Sequence, residues 1–279
     1  MKQPLVSVIV TTRNNHQTLE ACLQSIAKQS YKNIELIVVD NNSSDDTKDI
    51  ARRFTERVYD KGPERSAQRN FAVSKASGEY VCIIDSDMEL STDVIKSCVQ
   101  TVAEHVYGAL IIPEESFGEG FWAQCKKLER SFYVGVDWIE AARFFDKKVY
   151  VQAGGYNEHM TGGEDWDFTG RIRKIAEIGR SKEYIYHNEG RIYFGKTMRK
   201  IYYYASNSRA YFAEHKDQSA LTDKSGPLAR YALFLSQPGK LFRNPLYGIG
   251  TLTLKTGEFA AGGFGLIKAK LNSRNANNA

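Results

Sequence analysis

The sequence predicts an α/β fold with an open, mostly parallel sheet, helices on both faces of the sheet, and a helical extension at the C-terminal end. The first observation is a set of four short apolar runs, rich in Val and Ile, that are typical of strands buried on both faces. These runs are "LVSVIV" (5–10), "IELIVV" (34–39), "YVCII" (80–84) and "GALII" (108–112). The second observation is that helical patterns lie between them, and strands that alternate with helices at this spacing form right-handed β-α-β units.

Two of the connecting helices have clear signatures. Between the first two runs, an apolar residue recurs at positions i, i+3, i+4 and i+7, which is the stripe of an amphipathic helix. The four residues of this stripe are Leu19, Cys22, Leu23 and Ile26. After the second run, "SSDDTKDIARRF" begins with Ser and Asp residues, which cap helix N-termini.

The composition is that of a folded protein with a large core. The chain has 279 residues and 42% hydrophobic content, enough for one large domain or for one domain with an appendage. Its four cysteines occur singly and without C-x-x-C spacing, which predicts reduced core residues and disfavours a disulfide or zinc role. The N-terminal apolar run is too short for a signal peptide, so we expect a cytoplasmic protein.

A polar cluster follows each of the first three apolar runs. "TTRNN" follows the first run, "DNNSSDD" the second and "DSD" the third. Because ligands of open α/β sheets bind beyond the carboxyl ends of the strands, we expect a binding site there. Thr12 and Arg13 offer a hydroxyl and a cation, and Asp40 offers a carboxylate to the donor groups of a base or a ribose.

The chain lacks the glycine-rich loops of common nucleotide-binding folds. No glycine occurs before Gly62, which excludes a G-x-G-x-x-G turn after the first strand and disfavours an NAD or FAD domain. "GRIYFGKT" (190–197) does match the phosphate-loop pattern G-x-x-x-x-G-K-[ST]. Its four central residues are bulky, however, and no apolar run ending in Asp follows it, so the context disfavours a phosphate loop.

Asp85 and Asp87 form a D-x-D pair where a buried strand ends. Two carboxylates this close repel each other unless they are solvated, cap a helix or share a cation. One interpretation is that Asp87 or Ser91 caps the helix that begins near Thr92. We favour a divalent cation, Mn²⁺ or Mg²⁺, that bridges the carboxylates to the phosphates of a bound diphosphate.

A second acidic group occurs in "GGYNEHMTGGEDWDF" (154–168). Its glycines predict a loop, and Glu164, Asp165 and Asp167 open the helix that follows. Acids in a first helical turn are also ordinary partners of the helix dipole. A carboxylate at a helix start beside such a loop is nonetheless well placed to act as a general base.

Five segments, taken in order, resemble the family 2 glycosyltransferases, which have the Rossmann-like GT-A fold. The segments are "VSVIVTTRNN", "ELIVVDNNSSDDT", "SAQRNFAVSKASGEYVCIIDSD", "AGGYNEHMTGGEDWDFTGRIRK" and "YIYHNEG", within roughly residues 4–195. The resemblance implies an inverting transfer of a sugar from a nucleoside diphosphate sugar, with a UDP-sugar favoured, to an acceptor hydroxyl. It also implies a divalent cation as cofactor.

The resemblance assigns roles to individual positions of this sequence. Its donor-binding positions are Thr12, Arg13, Asp40, Arg69 and Asp85. Its metal-ligand positions are Asp85, Asp87 and His187. Its catalytic positions are Asp165 and Glu164, of which Asp165 would be the general base. A surface strand histidine is an alternative interpretation of His187.

The resemblance places a GT-A catalytic domain at residues 1–195, with nucleotide-sugar binding in about 1–113 and acceptor binding in about 114–195. The family's common Pro-Thr-Tyr is replaced by Thr11-Thr12-Arg13. No Q-x-x-R-W follows the acidic helix, which disfavours a processive synthase. Two alternatives stay open: a nucleotidyltransferase, which usually has a glycine in its first loop, and a non-catalytic nucleotide-sugar or nucleic-acid binding module.

Residues 196–279 form a basic, Tyr-rich extension with 13 Lys and Arg against four Asp and Glu. Its longest stretch without charge, residues 244–254, is too short to span a bilayer, which takes ~20 residues. Tyr, apolar patches and cations suit the headgroup region of an anionic membrane, although a tail packed on the catalytic domain is the alternative. We expect a peripheral protein at the inner face of the cell membrane, a glycan or lipid-linked acceptor in surface glycan assembly, and no nucleic-acid partner.

Overall fold

The computed structural model describes residues 3–160, 162–207 and 226–277, so residues 208–225 of the predicted extension lie outside the described residues. The chain divides into two compact units. The first comprises the described residues within 1–115, 140–158 and 163–188, and the second comprises those within 116–139, 159–162 and 189–279. The domain boundary predicted near residue 195 stays a prediction.

The helices and strands alternate through most of the first unit, and helices prevail in the second. The strands are β1 (Val6–Thr12), β2 (Ile34–Asp40), β3 (Val58–Asp60), β4 (Tyr80–Asp85), β5 (Met88–Leu90), β6 (Ala109–Ile111), β7 (Glu114–Glu119), β8 (Ala142–Asp146), β9 (Ile178–Arg180) and β10 (Ile185–Arg191). The helices are α1 (His16–Ala27), α2 (Thr47–Arg52), α3 (Arg65–Lys75), α4 (Val94–Glu104), α5 (Gly120–Ser131), α6 (Lys147–Gln152), α7 (Glu164–Ile172), α8 (Phe194–Asn207), α9 (Pro227–Leu235), α10 (Pro238–Leu241) and α11 (Pro245–Asn277).

The first unit is built on a seven-stranded sheet in the order β3-β2-β1-β4-β8-β6-β9. β1 runs parallel to β2 and β4, as the alternation of apolar runs and helices predicted. β2 also runs parallel to the short strand β3, which the sequence analysis did not predict. Successive residues of β1 point to opposite faces, because Val8 and Val10 pack in one apolar cluster and Ile9 packs in the other. Both faces of the sheet are therefore covered, which confirms the predicted fold class.

The helix α1 confirms the apolar stripe predicted between the first two strands. Its buried residues are Leu19, Cys22, Leu23 and Ile26. All four pack in the same cluster as Val8 of β1. The cysteines are buried and free, as their spacing predicted.

The strand β8 departs from the expected topology. It lies between β4 and β6 and runs antiparallel to both. Its sequence, "ARFFD", is short, and Arg143 interrupts the apolar pattern. The insertion of β8 places a charged residue next to the strand that carries Asp85.

A smaller sheet has the strand order β5-β10-β7. β10 runs antiparallel to β5, with His187 opposite Met88. Because Met88 directly follows Asp87, this pairing brings His187 to the end of the D-x-D pair.

In the second unit, α5 and α8 pack against the 33-residue helix α11. Two glycines of α11 lie where a Cβ atom would clash with the facing helix. Gly250 faces Cys125 of α5, and Gly265 faces Ala205 of α8. Within the described ranges, no helix combines the length and the apolar character needed to cross a bilayer.

A buried network of charges joins α5 to α11. Glu129, whose side chain is 1% exposed, is paired with Lys126 at 3.0 Å and with Lys255 at 2.5 Å. Glu258 binds both lysines as well, and the Tyr133 hydroxyl donates to Glu129 at 2.5 Å. Burial opposes the charge of Glu129, but the two lysines outweigh burial and hold the pKa of this carboxyl far below its usual value.

Replacing Glu129 with Gln is expected to lower the free energy of unfolding by about 1.5–3 kcal/mol at neutral pH, because two buried ammonium groups lose a charged partner. The folded-state pKa lies below the unfolded value of about 4.3, so the stabilisation is complete above that pH and is lost as the pH falls through the folded pKa. Urea unfolding of both proteins, at neutral pH and below about pH 4, measures this difference. Glu104→Gln, at an exposed position of α4, is the control. A difference that stays constant on acidification would contradict the prediction.

Candidate active site

The carboxyl ends of the parallel strands bring the three predicted polar clusters to one edge of the sheet. In the strand register, Thr12 lies opposite Asp40 and Thr11 lies opposite Asp85. Asp40 in turn lies opposite Asp60 of β3. The polar residues at the ends of β1, β2 and β4 are therefore neighbours, as the sequence predicted.

Hydrogen bonds join the loops that carry these clusters. Asn15 donates from Nδ2 to Ser86 Oγ at 2.7 Å. The Asn14 N–H donates to Ser43 Oγ at 2.7 Å, and the Ser44 N–H donates back to Asn14 Oδ1 at 2.8 Å. Asn14 has a left-handed backbone, with φ 47°, which Asn adopts more readily than most residues. The loops after β1, β2 and β4 thus form one polar surface.

The three residues expected to hold a nucleoside differ in exposure. Asp40 is fully buried and accepts from Ser43, at 2.6 Å from the N–H to Oδ2 and at 2.5 Å from Oγ to Oδ1. Thr12 is buried, and within the described part of the chain its Oγ1 has no hydrogen-bond partner. Arg13 is exposed. The exposed cation of Arg13 is thus available to a ligand, whereas the unsatisfied hydroxyl of Thr12 is buried and Asp40 holds the turn at Ser43.

Arg69 of α3 connects the two acidic groups of the sequence. Its side chain is fully buried, and it donates from Nη2 to Asp85 Oδ1 and from Nη1 to Asp165 Oδ1, both at 2.8 Å. Its guanidinium also stacks on Tyr156, with Cζ 4.8 Å from the ring centroid. The planar fork of one arginine therefore brings together two carboxylates that are far apart in the sequence.

Arg143 of β8 is a site residue that the sequence analysis missed. Its Nη1 lies 3.5 Å from Asp85 Oδ2, and its Nε donates to Glu114 Oε1 at 2.5 Å. An arginine inside a run of apolar strand residues was the available signal, because such a residue needs a buried anionic partner. Burial disfavours the charged form of Asp85, but Arg69 and Arg143 outweigh burial and hold the pKa of Asp85 well below its usual value.

The helix α7 begins at the predicted acidic group. Gly163, which precedes the helix, has φ 79°, a left-handed conformation that favours glycine. The side chain of Glu164 is 4% exposed and lies 3.0 Å from Arg65, whereas that of Asp165 is 29% exposed. Burial and the adjacent charge of Asp165 raise the pKa of Glu164. Asp165 is thus the more accessible of the two carboxylates.

Asn70 fixes the glycine turn that leads to Tyr156. Its Nδ2 donates to the Tyr156 carbonyl at 2.8 Å, and its Oδ1 accepts from the Tyr150 hydroxyl at 2.8 Å. Gly155 has φ 67°, and a Cβ atom there would lie 2.6 Å from Asn70 Oδ1. The turn is therefore tightly packed, and it supports the ring on which Arg69 stacks.

Asp87 and His187 are brought together by the pairing of β5 with β10. Asp87 Oδ2 lies 3.2 Å from His187 Nε2. As far as the structure describes the chain, the buried Oδ1 atom of Asp87 has no hydrogen-bond partner. The carboxylate of Asp85, the third predicted ligand, is engaged by Arg69 and Arg143.

The described residues contain no group of three or more His, Cys, Asp or Glu side chains placed to hold a metal ion. A cation that bridges to a diphosphate needs only one or two protein ligands, because phosphate oxygens and water supply the others. Asp87 and His187 fit such a cation, since they offer a carboxylate, an imidazole and an unsatisfied buried oxygen.

The phosphate-loop pattern at residues 190–197 does not form a phosphate loop. β10 ends at Arg191 and α8 begins at Phe194, so only residues 192 and 193 connect them. Lys196 lies within the helix, with its Nζ 4.8 Å from the centroid of the Tyr193 ring. This geometry agrees with the prediction that residues 190–197 are not a phosphate loop.

Two comparisons with known protein sequences relate this chain to glycosyltransferases. The sequence model of the family described as "Glycosyl transferase family 2" matches residues 7–156, which is more than half of the chain. The "GalNAc(5)-diNAcBac-PP-undecaprenol beta-1,3-glucosyltransferase" of Campylobacter jejuni is 29% identical over 209 residues, which cover 68% of this chain and 64% of that protein. The chain therefore spans less than two thirds of the length of this relative.

Two solved structures share the fold. The mannosyltransferase PcManGT from Pyrobaculum calidifontis, solved with GDP-Man and Mn²⁺, has a TM-score of 0.59 and 20% identity, over 95% of this chain and 88% of that chain. S. aureus TarS 1–349, solved with UDP-GlcNAc, has a TM-score of 0.53 and 17% identity, over 96% of this chain and 92% of that chain. These likenesses confirm the expected GT-A architecture. Because the family model matches more than half of the chain, including β2 and β4 with Asp40 and Asp85 at their ends and the nearby Asp87, the chain belongs to glycosyl transferase family 2.

Proposed function

We propose that this chain is an inverting glycosyltransferase that moves one sugar per event from a nucleoside diphosphate sugar to an acceptor hydroxyl. The observation that carries the proposal is the position of Arg69, whose guanidinium is hydrogen-bonded to both Asp85 and Asp165. This contact fixes a carboxylate of the nucleotide-binding edge relative to a carboxylate at the start of α7. Membership in the family supports the reaction class.

Asp165 is proposed to be the general base. Its Oδ1 is held by Arg69, and its partial exposure leaves the carboxylate open to an acceptor. The carboxylate takes the proton of the acceptor hydroxyl as that oxygen bonds to the anomeric carbon, and the bond from this carbon to the diphosphate oxygen breaks. Glu164 is buried beside Arg65, so we assign it a supporting role.

The donor is proposed to lie along the polar edge of the sheet, with its nucleoside near Thr12, Arg13 and Asp40. The strand register supports this placement, because Asp40, Thr12 and Asp85 follow one another across β2, β1 and β4. Asp85, tied to Arg69 and Arg143, is proposed to face the ribose.

A divalent cation, Mn²⁺ or Mg²⁺, is proposed to be held by Asp87 and His187. When bound, it would supply positive charge next to the departing diphosphate. The unsatisfied Oδ1 of Asp87 supports this assignment, because a buried carboxylate oxygen without a donor is otherwise unfavourable.

A panel of UDP-, GDP- and dTDP-sugars, each with Mn²⁺ or Mg²⁺, tests the proposed function through thermal shift and donor hydrolysis. We expect a UDP-sugar to stabilise the protein, and a donor at about 100 times its Kd adds about 2.7 kcal/mol of stability. If no donor raises the melting temperature and none is hydrolysed, the proposed function is wrong.

Asp87→Asn is expected to abolish metal-dependent donor binding, because a neutral amide is a poorer ligand for a hard cation. Calorimetric titration of the donor nucleotide with and without Mn²⁺ measures the effect, and the melting temperature reports whether the fold persists. Glu89→Gln, which neutralises the next carboxylate after Asp87 and lies in β5, is the matched control and should bind like the parent protein. Unchanged binding of donor and metal by Asp87→Asn would show that Asp87 is not a ligand.

The acceptor is proposed to be a glycan or lipid-linked glycan in surface glycan assembly, met at the inner face of the cell membrane. The name of the Campylobacter relative includes a PP-undecaprenol glycan, which supports a lipid-linked acceptor. The basic composition of residues 196–279 supports contact with an anionic surface.

A further inference from the structure

The helices α8 and α11 border an apolar groove within the second unit. The groove has a cavity volume of about 600 Å³. Met198 and Tyr202 of α8 line it, together with Phe264, Ile267 and Leu271 of α11. None of these residues belongs to the proposed donor site or to the acidic start of α7.

The apolar side chains of the groove are unusually exposed. Phe264 is 67% exposed, Ile267 57% and Leu271 55%, and their spacing puts them on one face of α11. Tyr203 and Tyr204, the next two residues of α8, do not line the groove, but they are also 64% and 48% exposed. Single exposed apolar residues are ordinary, but a contiguous set of them marks a binding surface.

The surface around the groove is positively charged. Arg199 and Lys268 line the cavity, and Lys200 and Lys270 are exposed on the same two helices. The sequence of α8 contains no Asp or Glu, and neither do residues 259–277. A partner of this surface must therefore be anionic, and a second copy of the same surface would be repelled.

An anionic phospholipid bilayer offers both properties that the groove requires, namely acyl chains and phosphate groups. Tyr, Lys and Arg beside apolar side chains are the residue types found where helices lie in the headgroup region. A nucleic acid offers phosphates, but it has no acyl chains to cover aliphatic side chains such as Ile267 and Leu271.

We propose that α8 and residues 261–271 of α11 form a membrane-contact surface for anionic phospholipid. Phe264, Ile267 and Leu271 enter the boundary between headgroups and acyl chains, and Arg199 and Lys268 bind headgroup phosphates. The inference rests on the proposed function in that a lipid-linked acceptor would be met at a bilayer. It assigns the contact to this groove instead of to the basic extension as a whole.

Flotation of the full chain with vesicles tests the proposal. The vesicles contain phosphatidylcholine alone or phosphatidylcholine mixed with phosphatidylglycerol. The parent protein is expected to float with the mixed vesicles at low salt and to be released as the salt concentration rises. The double variant Phe264→Ser, Ile267→Ser should bind the mixed vesicles more than about ten-fold more weakly, because two apolar side chains no longer leave water.

A second double variant tests the charged part of the surface. Arg199→Gln with Lys268→Gln should weaken binding to the mixed vesicles by about 25-fold, at roughly five-fold for each cation. The matched controls are Leu228→Ser, at an 86% exposed position of α9, and Lys182→Gln, an exposed cation outside both helices. Both controls should float like the parent protein.

Three outcomes would overturn the proposal. The first is that the parent protein does not float with the anionic vesicles, whether or not it binds single-stranded RNA. The second is undiminished flotation of both groove variants. The third is a change of oligomeric state in the groove variants without a change in flotation, which would assign the groove to contact between copies of the chain. Donor binding by thermal shift in the same preparations shows whether the proposed function fails independently, and the melting temperature shows that each variant folds.

Discussion

Asp165→Asn is expected to lower the turnover number for sugar transfer by ~10²–10⁴-fold while the donor affinity stays within a few-fold of the parent value. Asparagine keeps an Oδ1 acceptor for Arg69, at the 2.8 Å that the aspartate now has, but it cannot take the acceptor proton. Steady-state transfer to acceptor and calorimetric binding of donor measure the two quantities separately. Binding and chemistry should therefore dissociate in this variant.

Glu164→Gln is the matched control, because it neutralises the neighbouring carboxylate at the same helix start. The Glu164 side chain is 4% exposed and paired with Arg65, so we expect a much smaller change in turnover. Near-parent turnover in Asp165→Asn together with loss of turnover in Glu164→Gln would show that the base is misassigned. If both variants are fully active, neither acid is the general base, and both act only as partners of the helix dipole.

Arg69→Met is expected to cost about 3–5 kcal/mol of unfolding free energy, because it leaves Asp85 and Asp165 without their common partner. The Arg69 side chain is 0% exposed and that of Asp85 is 18% exposed, so water cannot easily replace the lost guanidinium. Urea denaturation of the two proteins measures the difference. The same variant should also lose transfer activity, since Asp165 is no longer held in place.

Two further variants separate a lost ion pair from lost packing at Arg69. Arg69→Lys keeps the charge, but one ammonium cannot reproduce a planar fork that reaches two carboxylates, so its stability should be intermediate. Arg69→Met combined with Asp85→Asn removes a carboxylate charge that Arg69→Met alone leaves with only the longer contact to Arg143, so part of the lost stability should return. A loss of less than about 1 kcal/mol in Arg69→Met would contradict the role given to this residue.

The strands β1, β2 and β4 could be predicted because each is apolar over most of its length, as strands buried on both faces are. Their direction followed from the helices between them, and parallel strands end at the same edge of a sheet. Asp40 and Asp85 were therefore predicted at one edge from the sequence alone, and the strand register confirms their placement.

The strand β8 could not be predicted in the same way. The hydrophobic pattern of a strand indicates which face of the sheet each residue occupies. It does not indicate which other strand pairs with that strand. The antiparallel insertion between β4 and β6 depends on pairing across the chain. The contact of Arg143 with Asp85 depends on this insertion, so the sequence could not show it.

The site could be predicted as a set of residues but not as a set of contacts. Arg69 was expected to bind the donor, and the structure shows it buried between Asp85 and Asp165. A buried guanidinium requires anionic partners, yet the sequence offers several carboxylates of similar spacing. The packing of α3 against the sheet and the turn at Gly155 determine which carboxylates the Arg69 guanidinium contacts.

The charge network between α5 and α11 limits how far this protein can be truncated from its C-terminal end. Lys255 and Glu258 belong to α11, so a fragment that ends before residue 245 leaves Glu129 with a single lysine partner. The buried hydrogen bond from Thr251 Oγ1 to the Cys125 carbonyl, at 2.9 Å, is lost as well. Such a fragment would expose one side of α5 and is expected to aggregate or be degraded in the cell, although every residue proposed for catalysis precedes the cut. An inactive deletion would therefore report misfolding, and only substitutions on the outer face of α11 can reveal what that helix does.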